Sequence, residues 1–200
     1  MTLRLLRRVP LLLIAALPLA AAAHTGADAG LHHGFAAGFA HPLAGPDHLA
    51  AMVAVGLWSA LTARRPWPDL LWAPLGFALM LLAGALMGLA GVQLPAAEPM
   101  IAASLLVLGL LVLTRQRLPA WAAAALVGMF ALFHGVAHGR ELAGESGAAL
   151  TLAGMLAATV LLHAAGIAIG WTLRHRHRRA PRIAGAAVAI FGMALLGGLA

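Results

Sequence analysis

The stretch GFAAGFAHPLAGPDHLAAM, residues 34–52, places two histidines, an aspartate and two prolines inside an otherwise apolar run. Proline removes a backbone N–H and interrupts a helix, and ionisable side chains are costly in hydrocarbon. Pro42 and Pro46 leave backbone carbonyls without helical donors, which a membrane tolerates only where the backbone is buried in protein or lines a cavity. The stretch therefore predicts a membrane helix that is broken at a Pro-rich polar elbow, with the elbow facing the interior of a helix bundle.

The composition indicates an integral membrane protein. Of its 200 residues, 62% are hydrophobic and 10% are charged, whereas about 25% are charged in a soluble domain. The apolar segments are continuous rather than alternating, which favours an all-α integral membrane protein over a β-barrel. The absence of cysteine excludes disulfides and thiolate metal sites. The arginines lie in short loops between apolar segments, so the basic charge indicates membrane topology and not nucleic-acid binding.

The N-terminal 23 residues match a cleavable signal peptide. A cationic start, MTLRLLRRVP, precedes the apolar core LLLIAALPL and an alanine-rich site before His24. An uncleaved first helix is the alternative. Residues 24–200 are predicted to form a single domain of six transmembrane helices, because about 20 apolar residues cross a bilayer. The predicted spans are 33–62, 68–90, 98–114, 119–139, 148–173 and 181–199.

The loop charges give an orientation for these spans. With the mature N-terminus outside, nine of the ten arginines after residue 23 lie on the inner side, and Arg140 lies outside. That bias follows the positive-inside rule, and interfacial tryptophans mark the same ends. We therefore expect a multi-pass protein of the bacterial inner membrane with a periplasmic mature N-terminus. The tryptophans predicted near its cytoplasmic ends are Trp58, Trp67, Trp72, Trp121 and Trp171.

Two polar clusters fall in the outer halves of the first and fourth spans. In the second cluster, FHGVAHGRE, the two histidines are four residues apart and the glutamate follows three residues later, so all three share one helical face. Such a histidine pair is a common way for a helix to hold a metal, although no HExxH is present. The predicted metal ligands are His41, Asp47, His48, His134, His138 and Glu141.

The donor types favour a first-row divalent cation. Imidazole and carboxylate suit Ni²⁺, Co²⁺ or Zn²⁺ and disfavour Cu⁺. Ionisable groups inside a membrane indicate function by default. His163, in the fifth span, is interpreted either as an inner waypoint or, preferably, as a helix–helix hydrogen-bond partner. An outer collecting site is predicted at His24, His32 and His33, whereas His175 and His177 are expected to be solvated.

HPLAGPDHLAAM together with FHGVAHGRE resembles the signatures of the HupE/UreJ family of nickel/cobalt permeases. The resemblance covers the mature chain, with both motifs in order, and assigns the six predicted ligands to the family's motifs. It implies secondary transport of Ni²⁺ or Co²⁺ into the cytoplasm without a prosthetic group, since the ion is the substrate. It also implies a downstream pathway that supplies metal to hydrogenase or urease.

Two other functions fit the same residues. One is an intramembrane zinc-dependent hydrolase with Glu141 as general base. The other is a metal-binding accessory membrane protein that does not transport. A permease is preferred to an enzyme, and it would be secondary because no Walker motif is present. The choice between nickel and cobalt stays open, as does a homo-oligomeric state. Small-residue faces such as Gly30, Gly34 and Gly38 indicate helices that approach each other closely.

Overall fold

The computed structural model describes residues 34–176 and 179–199. The predicted signal peptide and the predicted outer collecting site lie outside the described residues, as does His177. The described residues form helices and loops without β-strands. The helices are α1 (Phe35–Ala44), α2 (Pro46–Thr62), α3 (Trp72–Leu89), α4 (Ala97–Thr114), α5 (Ala120–Glu141), α6 (Ala148–Arg176) and α7 (Arg179–Leu196).

Five of the described helices, α3 to α7, are long and apolar enough to cross a membrane. The first predicted span instead consists of two shorter helices, α1 with 10 residues and α2 with 17. The all-helical class is therefore confirmed, while the count of six spans depends on whether α1 and α2 together make one crossing. Both pack along the same neighbour, α6, whose 29 residues extend for about 43 Å.

The break between α1 and α2 is caused by Pro46. The residue before a proline is pushed into an extended conformation, and Gly45 has φ −80° and ψ 113°. Pro46 then begins α2, a position where its fixed φ suits the helix and its missing N–H costs nothing. Pro42, which was also expected to contribute to the elbow, lies inside α1 and does not end it.

Three helix pairs form the bundle, and glycines set their directions. Gly56 of α2 packs on His163 of α6, and Gly38 of α1 packs on Thr151, so both short helices run parallel to α6. By the same kind of contact α3 runs parallel to α5, whereas α4 runs antiparallel to α7, with Gly109 beside Gly185. These directions are the ones expected if the chain crosses back and forth and α1 and α2 share one crossing.

Helix α5 approaches α3 unusually closely at two glycines that directly follow histidines. A Cβ at Gly135 would overlap the Leu81 carbonyl oxygen, and one at Gly139 would overlap that of Ala85. Small residues let membrane helices approach in this way. Successive side chains on a helix are about 100° apart, so glycines that face α3 direct the preceding histidines of α5 to one side of that contact, towards α2 and α4.

One end of the bundle collects the arginines. There the Trp58 Nε1–H donates to the Gln116 carbonyl at 2.9 Å, and Arg174 Nη2 donates to the Ala63 carbonyl at 3.5 Å. These bonds connect the end of α2 to the α4–α5 loop and to α6. We call it the arginine end, and the opposite end, where α5 ends and α6 begins, the histidine end. The described arginines at the arginine end are Arg64, Arg65, Arg115, Arg117, Arg174, Arg176, Arg179 and Arg182.

The tryptophans near the arginine end are of two kinds. Trp67 and Trp121 are 72% and 75% exposed, as expected for rings that anchor at a membrane interface. Trp58 is 1% exposed. Its indole faces the bundle because α2 packs against α4 and α6, and the buried N–H is satisfied by a carbonyl. Trp58 therefore joins helices instead of facing lipid.

Candidate metal centre

Three histidines from three helices converge near the histidine end. His41 comes from the end of α1, His48 from the first turns of α2, and His138 from the last turn of α5. Each offers a ring nitrogen, and these nitrogens all lie within 4.8 Å of one another. The Nε2 atoms of His48 and His138 are 2.8 Å apart. We call His41, His48 and His138 the histidine triad.

Asp47 holds the ring of His48 in place. Its Oδ1 lies 2.9 Å from Nδ1 of His48, because Asp47 and His48 occupy the first turn of α2 directly after the break. Both side chains fold back over Gly45, where an added Cβ would lie 3.1 Å from each of the two bonded atoms. The break in the helix and the absence of a side chain at Gly45 therefore make room for this pair.

On α5, Glu141 contacts His138 in the way that Asp47 contacts His48 on α2. Its Oε2 lies 3.3 Å from Nδ1 of His138, one turn earlier on α5. The Glu141 side chain is 60% exposed, whereas that of Asp47 is 26% exposed. Each carboxylate thus contacts Nδ1 of a triad histidine. The Asp47 contact is the shorter one, and the Asp47 side chain is the more buried of the two.

These contacts determine which nitrogens can bind a metal. An ionised carboxylate only accepts hydrogen bonds, so Nδ1–H of His48 and of His138 must donate. In a neutral imidazole the lone pair is then on Nε2. The two Nε2 atoms face each other at a hydrogen-bond distance of 2.8 Å, in a site where both rings are less than a tenth exposed. With both imidazoles neutral, each directs its lone pair into the shared space, where a proton or a metal cation can bind between them.

His134 lies next to the triad but forms its hydrogen bond with a serine on another helix. Its ring centroid is 5.3 Å from that of His48, and its Nε2 is 3.1 Å from Oγ of Ser104 on α4. The Ser104 hydroxyl donates to the Ile101 carbonyl at 2.6 Å, so it accepts from Nε2–H of His134. The lone pair of His134 is then on Nδ1, which is buried and has no hydrogen-bond partner within residues 34–176 and 179–199.

The structure adds two residues that sequence reasoning missed. Ser104 fixes the tautomer of His134, and its only signal was a serine hydroxyl within the apolar third span. Phe77 of α3 is fully buried, with its ring centroid 6.0 Å from His134 and 5.2 Å from His163. A phenylalanine in a membrane segment gives no sequence signal of such a position. His175 is exposed, as expected.

An apolar cavity adjoins the triad on its bundle side. Pro42, Met52 and His138 line it, together with Met155 and Thr159 of α6. Thr159 lies within 3.5 Å of the Met52 sulfur. The cavity therefore extends from the triad towards the middle of α6.

The paired carboxylates and imidazoles form a pattern known from metal sites. Metal-binding histidines usually donate their second ring N–H to a carboxylate or carbonyl, which fixes the ring and raises its basicity. The geometry of His48 with Asp47, and of His138 with Glu141, has this form. His41 supplies a third imidazole beside them.

This chain is similar to known proteins over most of its length. Residues 11–195 match the family described as HupE / UreJ protein. Protein HupE of Rhizobium leguminosarum bv. viciae is 44% identical over 186 residues, which is 92% of this chain and 93% of that relative. No solved structure matches. A family match over most of the chain, with a relative similar over nearly its full length, shows that this protein is a member of the HupE/UreJ family.

Proposed function

We propose that this protein is a secondary transporter that carries Ni²⁺ or Co²⁺ into the cytoplasm. The observation that carries the proposal is the convergence of His41, His48 and His138 from three helices. In the proposed site, the three imidazoles bind the ion directly, and Asp47 and Glu141 orient two of these rings through Nδ1. The ion is the substrate, so no prosthetic group is required.

The charge of the site supports a divalent cation. Metal binding requires neutral imidazoles, and with the three rings neutral the two carboxylates give the site a formal charge of −2, which matches +2 on the ion. Asp47 and Glu141 therefore neutralise the cation without replacing imidazole nitrogens around it. A site of this kind stabilises a divalent ion over a monovalent one inside a low-dielectric bundle.

The spacing of the triad supports one first-row cation shared by its members. Imidazole nitrogens bind such a metal at about 2.0–2.1 Å, so two of them are about 2.9 Å apart at a right angle and about 3.4 Å apart at a tetrahedral angle. The Nε2 atoms of His48 and His138 are 2.8 Å apart, and the ring nitrogens of all three histidines lie within 4.8 Å of one another. Competition between Ni²⁺, Co²⁺ and Zn²⁺ in the uptake assay decides among the ions.

The orientation follows from the arginine end. The positive-inside rule assigns that end to the cytoplasm, so the histidine end faces the periplasm of a bacterial inner membrane and the ion arrives there first. A +2 ion moving inward gains about 4.6 kcal/mol per 100 mV of membrane potential. Transport therefore needs no ATPase, and the imported metal would supply an enzyme such as hydrogenase or urease.

The contacts of Glu141 argue against the hydrolase alternative. The hydrolase alternative assigns Glu141 as the general base, which must reach the proton that it removes from water, and Glu141 instead contacts Nδ1 of His138. The neighbouring cavity is lined mainly by aliphatic side chains and methionines. It offers few groups that would orient a polar substrate.

The direct test is uptake by the purified full chain in sealed proteoliposomes with an inside-negative potential. We expect radiolabelled Ni²⁺ or Co²⁺ to accumulate, and His48→Ala and His138→Ala to reduce the initial rate at least tenfold. His175→Ala, at the exposed histidine of the arginine end, is the matched control and should keep the wild-type rate.

Each alternative predicts a different result. Metal binding without uptake by wild-type protein would identify an accessory protein. Metal-dependent hydrolysis that is lost in His48→Ala, while uptake persists, would identify an enzyme. Full uptake by both His48→Ala and His138→Ala would overturn the assigned site.

A further inference from the structure

His163 is a buried histidine that the triad does not use. It lies on α6, is 3% exposed, and its Nε2 has no hydrogen-bond partner in the described part of the chain. Burying a polar atom without a partner is unfavourable, and native proteins rarely do so without a reason. The interpretation of His163 as a helix–helix hydrogen-bond partner is therefore not supported at this nitrogen.

Phe77 separates His163 from His134. The His163 ring meets the Phe77 ring edge to face, with centroids 5.2 Å apart and planes at 90°. The His134 ring lies 6.0 Å from the same phenylalanine. One apolar ring thus contacts two buried histidines, and Nδ1 of His134 and Nε2 of His163 are both without partners among the described residues.

His163 lies further from the histidine end than the triad does. It packs beside Gly56 of α2, eight residues after His48, and eight residues of helix rise by about 12 Å. The cavity beside His138 reaches Thr159, which is one helical turn before His163 and on the same face of α6. The lining of the apolar cavity therefore ends one helical turn before His163.

We propose that His163 is a second binding station for the transported divalent cation, which reaches it from His134 past the ring of Phe77. This inference rests on the proposed transport function and adds a residue to its route. A single imidazole binds a divalent ion more weakly than the triad does. A weaker inner station suits a transporter, because an ion that is bound at several weak sites can still leave.

The test replaces His163 with leucine, a residue of similar size that has no lone pair. If His163 only packs against Phe77, His163→Leu should be tolerated, because it removes an unpaired buried nitrogen. If His163 binds the ion, the initial rate of Ni²⁺ uptake into proteoliposomes should fall at least tenfold. His163→Gln provides a second variant that keeps a polar side chain, and it should lose uptake as well. His175→Leu is the control and should keep the wild-type rate.

Binding measurements separate a lost station from a damaged protein. Co²⁺ titrated into purified wild-type protein in detergent should give two binding events, seen in the visible absorption of the bound ion. His163→Leu should retain the tighter event with a Kd within twofold of wild type and lose the weaker event. Loss of both events together would show that His163 supports the triad itself, and it would overturn the assignment of His163 to a separate station.

The outcomes distinguish this inference from the function on which it rests. If wild-type protein takes up Ni²⁺ and both His163 variants do so within twofold of its rate, the second station is wrong while the transport function stands. If wild-type protein neither binds nor takes up Ni²⁺ or Co²⁺, the proposed function fails and the station with it.

Discussion

The unequal carboxylate contacts of the site predict an unequal effect of neutralising them. Asp47→Asn and Glu141→Gln each keep the side-chain shape and remove the negative charge. Asp47 contacts its histidine at 2.9 Å and is 26% exposed, whereas Glu141 contacts its histidine at 3.3 Å and is 60% exposed. The shorter and more buried contact should contribute more to the orientation and basicity of its imidazole.

The expected magnitude follows from other metal sites. Replacing a carboxylate that orients a metal-binding histidine typically costs 10- to 100-fold in affinity, which is about 1.4–2.7 kcal/mol. We expect Asp47→Asn to fall within that range, because the amide cannot accept from His48 as strongly as a carboxylate does. For Glu141→Gln we expect a loss of about threefold, since solvent screens an exposed pair.

The assay is Co²⁺ binding to purified protein, with Kd and the visible absorption spectrum measured on the same samples. If the carboxylates only orient the imidazoles, both variants should bind more weakly with an unchanged spectrum, because the coordinating atoms are the same. A larger loss for Glu141→Gln than for Asp47→Asn would refute the reasoning. A changed spectrum in Asp47→Asn would show that Asp47 coordinates the ion directly, as the sequence had suggested.

Three further predictions concern the scaffold around the site. Pro46→Ala should lower Ni²⁺ uptake roughly tenfold by letting α1 and α2 straighten. Pro42→Ala should have a clearly smaller effect, because Pro42 lines the cavity but does not end α1; equal effects would contradict the assignment of the break. Gly139→Ala should push α5 away from α3 and lower uptake roughly tenfold or more, and normal uptake would show that the close approach is unnecessary. Trp58→Phe should destabilise the protein by about 1 kcal/mol in thermal unfolding, because it loses a buried hydrogen bond. Trp121→Phe, which changes an exposed ring, should not lower the unfolding midpoint. The reverse order of the two effects would contradict the buried position of Trp58.

The helices could be predicted from the sequence because bilayer thickness and continuous apolar runs leave few alternatives. The span predicted at 98–114 corresponds to α4 at Ala97–Thr114. The break in the first span was also predictable, because Pro46 constrains the residue before it. Pro42 was assigned a part in the same break, yet α1 continues through it, since a helix can lose one hydrogen bond when its other contacts hold.

The roles within the site were harder to predict. The spacing of His134 and His138 places both on one face of α5, but it does not say which way that face turns. Contacts of the adjacent glycines with α3 decide the rotation, and as a result His138 meets His48 while His134 bonds to Ser104. The sequence also could not separate carboxylates that coordinate from carboxylates that orient, because that distinction depends on side-chain direction and not on spacing.

The central claim is that His41, His48 and His138 bind the transported cation through their ring nitrogens. The most direct measurement is a nickel-edge anomalous difference map from crystals of the nickel-loaded protein. The strongest peak should lie within about 2.1 Å of Nε2 of both His48 and His138, with His41 completing the triad. Nickel bound elsewhere, with these three rings unliganded, would contradict the account.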